Sequence, residues 1–178
     1  PISSYGVATN ISCYGFQDGS IDLTTNGNGL TYNWIGPNSF VSSNEDISNL
    51  LSGTYTVDIF DANNCVGPTH IFYIDEPNDI IVSSVSSNVS CYSYNDGLIN
   101  LTIQGGTGYV TTNWTGPNGY SMMAEDINSL APGVYTYVCT DILGCTPSTP
   151  SIPIVIAEPS ALNVTANYLD ETCYGDQD

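Results

Sequence analysis

The chain has 178 residues, with 18 Asp and Glu, no Lys or Arg, and a formal net charge of −18 at pH 7. Without cationic side chains it cannot neutralise phosphates, so nucleic-acid binding is excluded, docking on anionic lipid is disfavoured, and Lys–Asn isopeptide cross-links cannot form. No apolar run approaches the ~20 residues a spanning helix needs, which argues against membrane insertion in this segment.

Pro1 to Ser12 reads as a linker that becomes a first strand, with Val7, Thr9 and Ile11 alternating toward Cys13. Gln17-Asp18-Gly19 carries a tight-turn signal, and a second strand follows with Ile21 and Leu23 inward. Asn26-Gly27-Asn28-Gly29 is the next turn. Tyr32-Asn33-Trp34 forms a third strand, which Gly36-Pro37 ends because Pro lacks a backbone donor. An irregular crossing then leads through Phe40 and Glu45-Asp46-Ile47 to Leu50. The stretch Leu50 to Cys65 is a turn, a strand and a second turn closed by cysteine; Tyr55, Val57 and Ile59 share its buried face. A last strand covers His70 to Ile74, before Glu76-Pro77.

A shift of 80 positions then maps Trp34 onto Trp114, Gly53 onto Gly133, Cys65 onto Cys145 and Asp46 onto Asp126. Asn95-Asp96-Gly97 repeats the early turn, Ile99 and Leu101 the second strand, and Ile152 to Ile156 the last one. Tyr135, Tyr137 and Cys139 share the face that Tyr55, Val57 and Ile59 occupy, which makes Cys139 a small buried hydrophobe. Cys173-Tyr174-Gly175 copies Cys13-Tyr14-Gly15, so a third copy opens near the end. The expected organisation is one repeat over 1–77, a second over 78–159, and the first strand and opening of a third over 160–178. The chain then reads as a window from a longer array. Short strands with frequent turn signals and no helical period indicate an all-β fold of sandwich repeats arranged end to end.

The Leu-x-x-Gly-x-Tyr lead-in at Leu50–Tyr55 and Leu130–Tyr135 resembles the tyrosine corner of immunoglobulin-like sandwiches. The wider pattern is Cys-Tyr-Gly-x-x-Asp-Gly-x-Ile, Tyr-x-Trp-x-Gly-Pro, Leu-x-x-Gly-x-Tyr, Asp-x-x-x-Cys and Glu-Pro. It resembles the SprB-type repeat of large surface adhesins of gliding bacteria, and covers both full repeats and the opening of the third. The resemblance implies a secreted, surface-anchored chain of tandem immunoglobulin-like domains, exported by the type IX route. It brings no catalytic residues. Trp34, Tyr55, Trp114 and Tyr135 are then the structural core, and Ser93 departs from the Gly held at Gly15 and Gly175.

Six cysteines suit an oxidising, extracellular, cell-surface setting. One pairing closes each repeat on itself, Cys13–Cys65 and Cys91–Cys145, with the partner of Cys173 outside the fragment. If the opening and closing cysteines lie at opposite poles, Cys13 instead meets Cys145 and staples neighbouring repeats. Asp18, Asp46 and Asp61, with their copies Asp96, Asp126 and Asp141, sit in turns where Ca²⁺ takes carboxylate oxygens. The same residues also close turns by bonding their own backbone, and no EF-hand spacing occurs. No other cofactor is expected. Glycosylation sequons at Asn10, Asn88, Asn100, Asn113 and Asn163 are no more numerous than chance, although Asn10 and Asn88 are equivalent. His70 is the only His and has no copy, which leaves no catalytic constellation.

Tyr5, Tyr14, Tyr92, Tyr94, Tyr109 and Tyr120 are candidates for an aromatic platform that binds surface polysaccharide, or they cap the ends of the sandwiches. The expected partners are neighbouring repeats, other copies in a fibre and a surface polysaccharide. The expected role is an extracellular, adhesive spacer. A carbohydrate-binding module array is the alternative.

Overall fold

The computed structural model describes residues 2–167. Cys173 and the opening of a third repeat beyond residue 167 lie outside them. The fold is all-β and antiparallel. Seven strands precede residue 77: β1 (Ser3–Thr9), β2 (Gly19–Asn26), β3 (Thr31–Ile35), β4 (Val41–Ser42), β5 (Ile47–Leu50), β6 (Gly53–Phe60) and β7 (Val66–Ile74). Seven more follow: β8 (Ile81–Ser87), β9 (Gly97–Gln104), β10 (Val110–Thr115), β11 (Ser121–Met123), β12 (Ile127–Leu130), β13 (Gly133–Asp141) and β14 (Ile154–Ile156). The first unit has sheets β1-β2-β5 and β4-β3-β6-β7; the second repeats them as β8-β9-β12 and β11-β10-β13-β14.

Each unit buries its own core. In the first, Ile21, Leu23, Ile47 and Leu50 from one sheet meet Trp34, Tyr55, Val57, Ile59 and Ile74 from the other. In the second, Ile99, Leu101, Ile127 and Leu130 meet Trp114, Tyr135, Tyr137, Cys139 and Ile156. The faces follow from strand alternation: β2 and β9 share one burial pattern, in which the leading glycine and the next two alternate residues are buried.

Two distant motifs interlock at one end of each core. The Tyr55 hydroxyl donates to Leu51 O at 3.0 Å, and Tyr135 to Ala131 O at 3.0 Å. Each ring lies so close to the Gly-Pro turn that a Cβ on Gly36 or Gly116 would approach it to 2.6 Å. In return, Pro37 sits over Gly53 and Pro117 over Gly133, two glycines at φ 143° and 154° that a side chain would block. Phe40 and Tyr120 close the arrangement edge-on to Tyr55 and Tyr135, with centroids 5.3 Å apart in both. Trp-x-Gly-Pro and Leu-x-x-Gly-x-Tyr are therefore two halves of one packing feature. The indole N–H groups are satisfied as well, Trp34 by Asn44 O and Trp114 by Ala124 O.

Three expectations need correction. Val7 and Thr9 face solvent, while Ser4, Gly6 and Ala8 form the inner face of β1; only Ile11, past the strand, is buried. One reason is Phe72, whose ring would lie 2.6 Å from a Cβ at position 6. Asp18-Gly19 is not a two-residue hairpin turn, since Thr9 pairs with Ser20 and the intervening residues form a wide loop. The last strand is longer in unit one and shorter in unit two than expected. In unit one, Pro68 falls where the β6–β7 register shifts, and the ladder continues past it. In unit two, Pro147, Pro150 and Pro153 supply no N–H groups, and only Ile154–Ile156 pairs with β13.

Candidate functional site

The two units are joined covalently by a disulfide between Cys13 and Cys145, with Cα atoms 5.5 Å apart and a sequence separation of 132. The pairing within each repeat, Cys13–Cys65 and Cys91–Cys145, does not form: Cys65 and Cys91 are free and exposed, and Cys139 is free and buried. Topology is the reason. β2 leaves the loop that holds Cys13 beside Leu50, the end of β5 and close to the start of β6, whereas Cys65 follows the far end of β6. An opening cysteine and the closing cysteine of its own unit thus sit at opposite poles.

Both cysteine loops are held by carboxylates bonded to backbone. The Ser12 N–H donates to Asp18 Oδ1 at 3.0 Å and its hydroxyl to Asp18 Oδ2; Ser90 and Asp96 repeat this. Hydrogen bonds from Ser12 and from Ser90 hold the Asp18 and Asp96 carboxyls below the ordinary value of 3.8. The Glu-Pro motif closes the loop from the other side, with Glu76 accepting from Gly15 N at 2.6 Å and Glu158 from Ser93 N at 2.5 Å. Gly15 has φ 78° and Ser93 φ 62°, so the serine adopts the left-handed conformation of the glycine it replaces. Asn10 and Asn88 act structurally too, their carbonyls accepting from Asp75 N and Ala157 N.

The closing loop is the Asp-x-x-x-Cys motif. Asp61 Oδ1 accepts from Asn63 N at 2.8 Å and Cys65 N at 2.9 Å; Asp141 Oδ1 accepts from Leu143 N and Cys145 N, both at 2.9 Å. Asp141 also takes Thr107 N on its other oxygen. Burial pushes Asp141 up, but these backbone donors outweigh it and hold the carboxyl below its ordinary range. Asp46 and Asp126 accept from Leu23 N and Leu101 N across the sheet. Each of the six turn carboxylates thus accepts at least one backbone N–H. Among the described residues no three His, Cys, Asp or Glu side chains converge as metal ligands.

At the junction itself Cys145 Sγ lies 3.3 Å from Ser12 O. The connection between the units carries Asp79, which accepts from Ser148 N at 3.0 Å and from its hydroxyl, tying the proline-rich segment to the linker. That segment leaves a cavity of about 660 Å³ beside β13, lined by Val82, Ser84, Tyr137, Cys139, Pro150 and Ile152. Cys139 is 1% exposed, and burial pushes its thiol up, away from the reactive thiolate.

The aromatic platform is not one surface. Tyr92 and Tyr94 are exposed in the loop that opens unit two, whereas Tyr109 precedes β10 at the pole where Val110 pairs with Asp141. Tyr120 is partly buried against Tyr135. His70 Nε2 lies 2.7 Å from the Ser4 hydroxyl, linking β7 to β1. Charge and burial gave no signal for the proline-lined cavity; the run Pro147, Pro150, Pro153 was the available one.

No protein-family model and no curated protein matches the sequence. Among solved structures, the chain is similar to the BSP domain of a biofilm-associated protein at 17% identity and a TM-score of 0.28. The match spans 90% of this chain and 30% of that one, and at that score it decides neither fold nor function. No helix among the described residues is long and apolar enough to cross a membrane.

Proposed function

We propose that the chain is a segment of an extracellular tandem array of immunoglobulin-like β-sandwiches, which works as a disulfide-stapled spacer and presents an adhesive surface. The observation that carries this reading is the Cys13–Cys145 bond, because it ties one unit to the next and limits their relative motion. Two self-contained cores and two tyrosine corners support the immunoglobulin-like assignment. The motif spacing supports a SprB-type repeat, and with it surface anchoring and type IX export in a gliding bacterium. The disulfide supports an oxidising, extracellular location. The charge of −18 keeps successive units and parallel chains mutually repelling. Catalysis has no part in this reading, because the turn carboxylates and the histidine are engaged in holding backbone and sheet.

Pulling single molecules by their termini tests the spacer. With the bond intact, the 132-residue segment it closes stays hidden from the force, and reduction releases roughly 45 nm of additional contour. An oxidised chain that extends as far as the reduced one overturns the reading.

The cavity of about 660 Å³ in unit two favours one alternative, a carbohydrate-binding module array. Retention on a polysaccharide column, lost in a Tyr92→Ala/Tyr94→Ala variant or on filling the cavity through Ser84→Phe, would establish that alternative in place of a pure spacer.

A further inference from the structure

The bond at the junction uses the opening cysteine of one unit and the closing cysteine of the next. Each unit also holds the other half. Cys91 occupies in unit two the place of Cys13, and Cys65 occupies in unit one the place of Cys145. The loops match in detail. Phe16 N donates to Cys13 O at 3.1 Å, and Tyr94 N to Cys91 O at 3.2 Å. Asp61 N donates to Cys65 O at 3.1 Å, and Asp141 N to Cys145 O at 3.0 Å. The carboxylate anchors are shared as well, Asp18 with Asp96 and Asp61 with Asp141. What differs is cover: Cys13 and Cys145 are 9% and 7% exposed, while Cys65 and Cys91 lie open to solvent.

We propose that Cys91 and Cys65 are two half-sites of this same inter-unit staple, directed at further copies of the repeat. Cys91 bonds the closing cysteine of a following unit, and Cys65 the opening cysteine of a preceding one, so the array carries one cystine per junction and none within a unit. A second copy of this chain presents both halves and joins head to tail. Such a contact is heterologous, so it adds copies head to tail and propagates as an open filament wherever its rotation does not close a ring. The independent support for these two thiols is the bonded pair in the same molecule, where equivalent residues in equivalent loops have already joined.

With glutathione disulfide as oxidant the step balances. The Cys91 thiolate attacks one sulfur of the oxidant and expels a glutathione thiolate. The Cys65 thiolate of the second copy then attacks the Cys91 sulfur and expels the second glutathione. Two protein thiols become one cystine, and one glutathione disulfide becomes two glutathiones. The proposal rests on the Cys13–Cys145 junction and not on what the array adheres to, so failure of the polysaccharide experiment leaves it standing, whereas a pulling trace without the Cys13–Cys145 constraint removes its basis.

The test uses the full chain with its Cys13–Cys145 bond intact and Cys173→Ser, which removes the thiol outside the described residues. The protein is concentrated in a glutathione redox buffer and run on a non-reducing gel. Intermolecular cystines are mapped by mass spectrometry after chymotrypsin, because trypsin has no site in this chain. The expected result is a ladder of oligomers in which Cys65–Cys91 clearly exceeds the half share that random pairing of two thiols gives. Cys65→Ser or Cys91→Ser should abolish the ladder and leave monomer with at most a minor like-with-like dimer, and Cys139→Ser should leave the ladder unchanged. A chain that stays monomeric, or pairs Cys65–Cys65 and Cys91–Cys91 in random proportion, overturns the proposal.

Discussion

Breaking the Cys13–Cys145 bond should change the number of unfolding transitions as well as their midpoint. In the chain-entropy picture a cross-link raises the free energy of the unfolded state by closing a loop, and the effect grows only logarithmically with loop length. With both units unfolded, the loop of 132 residues is worth about 5 kcal/mol. With one unit unfolded and the other folded, the loop is roughly 65 residues, and the constraint is still worth about 4.3 kcal/mol. Each half-unfolded state is therefore penalised almost as much as the fully unfolded one. The bond couples the units by roughly 3.5 kcal/mol in favour of unfolding together. Two cystines closed within their own repeats would instead stabilise each unit separately and couple nothing. One tryptophan per core makes this measurable, since Trp34→Phe leaves Trp114 to report on unit two and Trp114→Phe the converse. Followed by fluorescence in urea, the oxidised protein should show coincident transitions from both probes. The Cys13→Ser/Cys145→Ser variant should show two separated transitions, both at lower urea. Separate transitions in the oxidised protein, or coincident ones at an unchanged midpoint in the variant, would refute the reasoning.

Three further expectations follow from the loops and corners. Tyr55→Phe should destabilise unit one by about 1 kcal/mol through loss of the bond to Leu51 O, and Gly36→Ala by about 1–3 kcal/mol by crowding the ring; urea midpoints read by Trp34 check both. Ser93→Gly should stabilise unit two by about 1 kcal/mol, since φ 62° is unfavourable for serine and free for glycine; a lower midpoint would show that the serine side chain has a role of its own. Asp18, Asp61, Asp79, Asp96 and Asp141 all titrate below the ordinary value of 3.8 in the folded chain. Because folding lowers these values, their contribution is fully present above pH 3.8 and is lost as pH falls through the folded values. Thermal midpoints should therefore hold from pH ~7 to ~4.5 and then drop, with a shallower drop in Asp18→Asn/Asp96→Asn; a steady loss between pH ~7 and ~5 would contradict this.

Much of the architecture was already present in local patterning. The 80-residue shift, the inward faces Ile21/Leu23 and Tyr55/Val57/Ile59, the buried tryptophans and the role of Cys139 all follow from alternation along a strand, which neighbouring residues encode. Local pattern misled where a contact from a distant strand governs the face or length of an element. Phe72 decides which side of β1 packs, and the prolines after Cys145 shorten β14. The interlock of Gly36 with Tyr55 and Pro37 with Gly53 was visible as conserved spacing between the two copies but not as one contact, because its halves come from different strands.

The cysteines mark the boundary most clearly. Repeat spacing alone established that there are opening and closing cysteines, since both recur with the frame, but every pairing of an opener with a closer satisfies the spacing equally well. Which two meet depends on the pole of the unit from which each loop emerges. Strand direction and sheet order set that pole, and they exist only once the chain has folded.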